Sequence, residues 1–325
     1  MTTVPAHPQL AEIAAMLRRQ GLSPADPLTT PLAEARFAAT VYNSVWNEAP
    51  PPVAKARDLG IAVGDRVVPV RILYPENSRE DLPVLLYFHG GGFVLNGIDT
   101  HDRLTRLLAL GSGAAVVVVG YGLAPEHRFP SQIDDALAAV AWVRREGSGL
   151  GLDASRLALG GDSAGATLAL AAQLALRERG LPPVAFGLLL YGMFSARLDT
   201  PSHAEFGDGR YGLSTARVDW FWQQYLSDGA QRDNPLAAPL HAEFAGLPPQ
   251  LVIAAGLDCL RDDSRAVADR LRTAGVPVRL SVYEGVPHSF MQMSAYLEPA
   301  RHAVAEAAAA VTAALGGDRY LAAAE

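Results

Sequence analysis

Apolar residues recur at helical spacing near the start of the chain, where Leu10, Ile13 and Leu17 share one face before Gly21. A second amphipathic pattern over residues 32–46 predicts another helix, and Pro50, Pro51 and Pro52 then mark a boundary. Beyond the prolines the rhythm changes. Short β-branched or leucine-rich runs at 67–74, 84–88, 115–119, 157–160, 184–190, 251–255 and 278–283 alternate with helical segments. Several runs are apolar throughout, which fits strands covered on both faces. Thr100 is placed to cap a helix carrying Leu104, Leu107 and Leu108 up to Gly111. Ser131 is placed to cap one carrying Ile133, Leu137, Val140 and Trp142. Asp262 and Asp263 read as caps of a helix over 264–274, and residues 167–179 read as a helix closed by Gly180 and Pro182. Such alternation predicts an α/β fold, a mostly parallel sheet with helices on both faces and an antiparallel edge at 67–74.

One stretch breaks this order. Residues 191–247 show no clear strand but gather Tyr211, Trp220, Phe221, Trp222 and Tyr225. They serve equally well as ordinary core of extra helices or as a cap over the sheet's carboxyl edge. The division expected is an N-terminal helical cap segment over 1–50, a catalytic core over 51–190 and 248–325, and a cap insertion over 191–247.

Composition narrows the partners. The 325 residues carry a net charge of −7 scattered along the chain, with no basic stripe, so counterion release offers nothing and nucleic acid is not an expected partner. Cys259 is the single cysteine; no internal disulfide is available, and its setting predicts a small buried hydrophobe. Glu12, Arg18 and Arg19 interrupt the N-terminal stretch where a secretory signal needs an apolar run. The longest apolar run, near 114–119, is far short of the ~20 residues that span a bilayer. A soluble, cytoplasmic protein is the expectation. There is no internal repeat, and the alanine-rich C-terminal helix is expected to fray after Gly316 and Gly317.

The chemistry lies at strand ends. Gly161-Asp162-Ser163-Ala164-Gly165 joins a buried strand to a helix in a G-x-S-x-G turn, whose flanking glycines make room for a sharply bent serine. His89-Gly90-Gly91-Gly92-Phe93 follows another strand, and a glycine run lets amides approach a developing oxyanion; the amide of Ala164 adds a donor. The run is neither a phosphate loop nor a dinucleotide fingerprint. A serine hydroxyl needs a histidine to take its proton and a carboxylate to orient that histidine. Asp258 follows the strand at 251–255, and His288 follows the strand at 278–283 through Glu284-Gly285-Val286-Pro287. His302 sits in the final helix, His101, His203 and His241 follow no strand, and His89 reads as a loop-shaping residue.

These motifs, with Tyr121-Gly122-Leu123-Ala124-Pro125-Glu126, Leu260-Arg261-Asp262 after the acid and Ser289-Phe290 after the histidine, resemble the bacterial hormone-sensitive-lipase-like esterases over roughly residues 30–310. The resemblance implies an α/β-hydrolase core with a helical cap, cleaving short- to medium-chain carboxylic esters through an acyl-enzyme without metal or cofactor. By motif position Ser163 is then the nucleophile, His288 the general base, Asp258 its orienter, and Gly91, Gly92 and Ala164 the oxyanion hole; Asp162 is structural. Three positions depart from the family pattern. Gly122 replaces an arginine, which is expected to loosen a polar network; Cys259 replaces a proline; Ser289 replaces a glycine. An amidase or aryl-formamidase of the same fold, or a catalytically silent binder, would carry much of the same pattern. The expected partner is a small-molecule ester, with no membrane contact; a homodimer through the edge at 278–283 is left open.

Overall fold

The computed structural model describes residues 5–75 and 81–316. Two helices lead, α1 (Gln9–Arg19) and α2 (Leu32–Ser44). The core then runs β1 (Lys55–Val63), β2 (Arg66–Tyr74), β3 (Leu82–Phe88), α3 (Asp102–Ser112), β4 (Ala115–Val119), α4 (Ser131–Glu146), β5 (Leu152–Asp162), α5 (Ala164–Glu178) and β6 (Phe186–Leu190). After α6 (Pro201–Phe206) and α7 (Thr215–Tyr225) it resumes with β7 (Gln250–Leu257), α8 (Arg261–Thr273), β8 (Val278–Pro287) and α9 (Glu298–Leu315). The eight strands form one sheet in the order β1-β2-β4-β3-β5-β6-β7-β8. β4 through β8 pair in parallel, while β1 and β2 make the antiparallel edge expected from the sequence.

Alternation along the strands divides the core into two layers. On β3, Leu85 and Tyr87 face the layer that holds Leu104, Leu108 and Ala303 of α3 and α9. Val84, Leu86 and Phe88 face the layer of α4, α5 and α8. All of these strand residues are fully buried, as a sheet covered on both sides requires. Gly111 does not end α3 as expected. It lies inside the helix, where a Cβ would stand 2.8 Å from the methyl of Ala308 on α9, and the helix ends at Gly113 in the left-handed region (φ 68°).

The expected caps are also reassigned. Thr100 lies in a 3-10 turn before α3, accepting from the Gly97 amide, and Ser131 is the first residue of α4 rather than its cap. Asp262 and Asp263 sit in the first turn of α8 but accept from Ser202, in α6, and from Ser195, in the loop between β6 and α6. They pin that loop instead of closing their own helix. The C-terminal fraying expected at Gly317 lies outside the described residues. Among the described residues no helix is long and apolar enough to cross a membrane.

Candidate active site

β5 delivers Ser163 at the carboxyl edge of the sheet, directly before α5. Its backbone takes φ 53°, ψ −122°, a conformation costing on the order of 1–3 kcal/mol for a residue with a Cβ. The turn is this sharp because β5 and β3 crowd it. A Cβ at Gly165 would collide with the Phe88 carbonyl, and one at Gly161 would stand 2.5 Å from the same oxygen. Both glycines are therefore fixed by close backbone approach. The Ser163 amide donates to Leu190 at 2.8 Å, tying the strained residue to β6.

Two further strands bring the partners. Asp258 follows β7, and its carboxylate accepts from the Leu260 amide at 2.9 Å. His288 directly follows β8, which runs on through the Glu284-Gly285-Val286-Pro287 segment that reads as a loop in sequence. The extension pairs with β7 across a register shift between Ala255 and Leu257. His288 Nδ1 stands 2.7 Å from Asp258 Oδ2, and its Nε2 stands 2.9 Å from Ser163 Oγ. With the Nδ1 hydrogen on Asp258, Nε2 is left as the acceptor for the serine proton. The Tyr191 ring meets the imidazole edge-on at 5.2 Å, a contact with no sequence signature.

The glycine run lies beside this chain of hydrogen bonds. Gly91 and Gly92 both have positive φ, 126° and 63°. Their amides and that of Ala164, the first residue of α5, have no backbone acceptor among the described residues. Gly90 is different. Its amide donates to Asp162 Oδ1 at 3.0 Å, and a Cβ there would collide with that carboxylate.

Asp162 accepts in addition from Tyr87 Oη at 2.9 Å and lies 3.1 Å from His101 Nε2. Burial alone would raise its pKa; the adjacent His101 and the Tyr87 hydrogen bond outweigh that and hold it below the usual carboxylate value. This buried carboxylate, on the residue before the serine, thus ties it to Gly90, the residue before Gly91. His101 has its other ring nitrogen 2.9 Å from Thr100 Oγ1, so its ring belongs to the Asp162 cluster rather than to Ser163. His89 is buried and stacked on Tyr121, and burial followed by the nearby His101 pushes its pKa down to about 4. It is a loop-shaping residue, as its position suggests.

A cavity of about 260 Å³ opens over Ser163, His288, Gly91 and Gly92. Its far walls come from the N-terminal segment (Ala35, Tyr42, Trp46) and from the stretch containing α7 (Tyr211, Arg217, Phe221). Phe221 packs so tightly on the glycine run that a Cβ at Gly92 would fall on its ring. The polar network expected to be loosened by Gly122 is intact. Arg66 reaches in from β2 to pair with Asp135 at 2.7 Å, Asp135 accepts from the Gly122 amide, and a Cβ at Gly122 would stand 2.8 Å from Arg66. Ser289, standing where the family pattern has glycine, takes the left-handed φ of 60° that glycine accommodates more easily. Cys259 is buried and burial pushes its thiol pKa up, which makes it a packed hydrophobe. Among the described residues no group of His, Cys, Asp or Glu is arranged to hold a metal ion.

Comparison with known proteins agrees with this architecture. A family described as the alpha/beta hydrolase fold matches residues 85–292. The chain is 41% identical over 254 residues to the carboxylesterase NlhH of Mycobacterium tuberculosis, covering 76% of this chain and 79% of the relative. It is 41% identical over 249 residues to an ethyl acetate hydrolase of Pseudomonas putida, covering 75% and 78%. Its structure superposes on a hyperthermophilic esterase from the archaeon Pyrobaculum calidifontis with a TM-score of 0.90 at 35% identity, over 95% of this chain and 98% of that one.

Proposed function

We propose a mechanism for a chain that belongs to the α/β-hydrolase fold family, in its hormone-sensitive-lipase-like branch, and that is a carboxylic ester hydrolase: Ser163, His288 and Asp258 act as a catalytic triad. His288 Nε2 takes the hydroxyl proton as Ser163 Oγ attacks the ester carbonyl carbon, and the amides of Gly91, Gly92 and Ala164 hold the resulting oxyanion. Each such donor is worth about 2.7–4 kcal/mol of barrier. Collapse breaks the bond to the alcohol oxygen, which takes the proton from His288 and leaves an acyl-enzyme. Water, deprotonated by the same imidazole, then attacks the acyl carbon and releases the acid and Ser163. Asp258 keeps the ring oriented and stabilises the imidazolium.

The observation that carries this reading is the continuous hydrogen-bonded chain from Asp258 through His288 to Ser163, at 2.7 and 2.9 Å. Substrate size follows from the cavity. At about 260 Å³ it lies below the roughly 300–1,000 Å³ typical of sites for drug-sized ligands, which favours short to medium acyl chains. A relative named for ethyl acetate points the same way. We assign residues 1–50 and 191–247 to a cap, over a core of 51–190 and 248–325; Tyr42, Trp46, Arg217 and Phe221 are cap residues in the cavity wall. The test is p-nitrophenyl butyrate hydrolysis at mildly alkaline pH by the native chain and by Ser163→Ala. Turnover that disappears in the variant is expected; turnover that survives would place the nucleophile elsewhere.

A further inference from the structure

Arg217 is a charged residue in the cavity wall that the proposed chemistry does not use. It lies on α7, one helical turn before Phe221, and residues at this spacing share a face about 5–6 Å apart. Phe221 rests on oxyanion-loop Gly92, so the Arg217 side chain starts one turn from the reacting carbonyl's binding site. Its partners are sparse. Among the described residues the guanidinium has no hydrogen-bond acceptor, and its ion pair is a 3.6 Å approach to Asp26, whose side chain is 49% exposed. A long pair to a half-exposed carboxylate holds a guanidinium weakly.

The surrounding lining leaves that cation uncompensated. Among the described residues the cavity wall contains no lysine and no second arginine, and its carboxylate, Asp162, is engaged by Tyr87, Gly90 and His101. The same guanidinium acts on Tyr42 across the cavity, opposing the rise that burial gives that hydroxyl. A planar fork of donors with spare capacity, facing a mostly apolar cavity, matches a carboxylate bidentately.

We infer that Arg217 is a specificity-determining residue that receives an anionic group of the substrate, so that the preferred esters carry a second, ionised acid. Monoesters of short dicarboxylic acids and short acyl esters of hydroxy acids have this form. The inference rests on the reading of Ser163 as the nucleophile of this cavity. An incoming carboxylate displaces Asp26 and accepts two hydrogen bonds from Arg217. The scissile ester then lies against Gly91 and Gly92 with its charged arm toward α7.

Two pairs of esters, matched in shape and differing in charge, test this. Monoethyl glutarate pairs with ethyl 5-methylhexanoate on the acyl side, and 3-acetoxypropanoate with 3-methylbutyl acetate on the alcohol side. The readout is the ratio of kcat/KM, anionic over neutral, for the native chain, Arg217→Gln, Arg217→Lys and Asp26→Asn. Losses from a disturbed cap are shared by both members of a pair and cancel in the ratio. In one pair the ratio should fall by about tenfold or more in Arg217→Gln, chiefly through KM, and fall less in Arg217→Lys. It should rise in Asp26→Asn, where the competing carboxylate is gone. Ratios unchanged by Arg217→Gln in both pairs would overturn the inference. So would a fall in Asp26→Asn matching that in Arg217→Gln, the signature of a latch between α7 and the N-terminal segment. Native turnover of neutral esters that persists in Ser163→Ala would instead refute the nucleophile assignment.

Discussion

Replacing Asp162 with alanine removes an acceptor shared by three buried donors: the Tyr87 hydroxyl, the Gly90 amide and the His101 Nε2. Asp162 is 1% exposed, so water cannot take its place without opening the core. Each orphaned donor costs about 1–3 kcal/mol, and with partial relaxation the three together put the variant some 3–6 kcal/mol below native. Unfolding entropy of about 2.1 cal/mol/K per residue over 325 residues gives ~0.7 kcal/mol/K, so Tm should drop by about 4–9 °C. The activity consequence is separate. Because the carboxylate joins the residue before Ser163 to the residue before Gly91, its loss lets the proposed nucleophile and the proposed oxyanion donors drift apart. kcat should fall by about 10- to 100-fold, with KM changing less. Asp162→Asn keeps an acceptor and the side chain's shape and should fall between the two. Thermal melts and steady-state kinetics on one short ester suffice. A Tm within about 2 °C of native in Asp162→Ala would refute the claim that this carboxylate holds the two loops together.

Two further outcomes are expected. Asp258→Asn preserves shape but presents an amide hydrogen to His288 Nδ1 and favours the wrong tautomer, so kcat should drop on the order of 10³–10⁴-fold with a near-native melt; a loss under about tenfold would contradict Asp258 as the orienting acid. Burial pushes the Asp263 carboxyl up to about 8. With the folded pKa above the unfolded one, its proton favours the native state fully below about pH 4, and that contribution is lost as pH rises to about 8. Asp263→Asn has no such titration, so its stability relative to native should improve across that window, by up to ~1.4 kcal/mol per pH unit, and a pH-independent Tm difference would exclude the effect.

Strand interiors were legible because burial on both faces leaves continuous apolar runs; 115–119 coincides with β4. Their ends were not. Asp153, Ser155 and Arg156 hide the first half of β5, and Gly285 and Pro287 disguise the last residues of β8 as a loop. Cap assignments failed where a polar side chain had a better partner far away in sequence, as Asp263 has in Ser195. The candidate site residues stand out because the proposed chemistry demands particular groups at strand ends in a fixed order, and the structure brings Ser163, Asp258 and His288 within hydrogen-bonding distance. What periodicity could not reveal depends on neighbours in space: Tyr191 against His288, Phe221 on Gly92, Arg217 in the cavity wall, and Arg66 beside Gly122. For Gly122 a hint existed, since a missing cation in a polar motif invites a search for another, but nothing in the local pattern points to β2.

The sheet order places the serine on a central strand and the histidine on the outermost one, 125 positions later in the chain. On the proposed roles, a sheet lacking β8 holds the hydroxyl without its proton acceptor. Without β8 paired to β7, Ser163 would then be as weak a nucleophile as any unassisted serine. On those roles, ester turnover reports that the sheet is complete through its final strand.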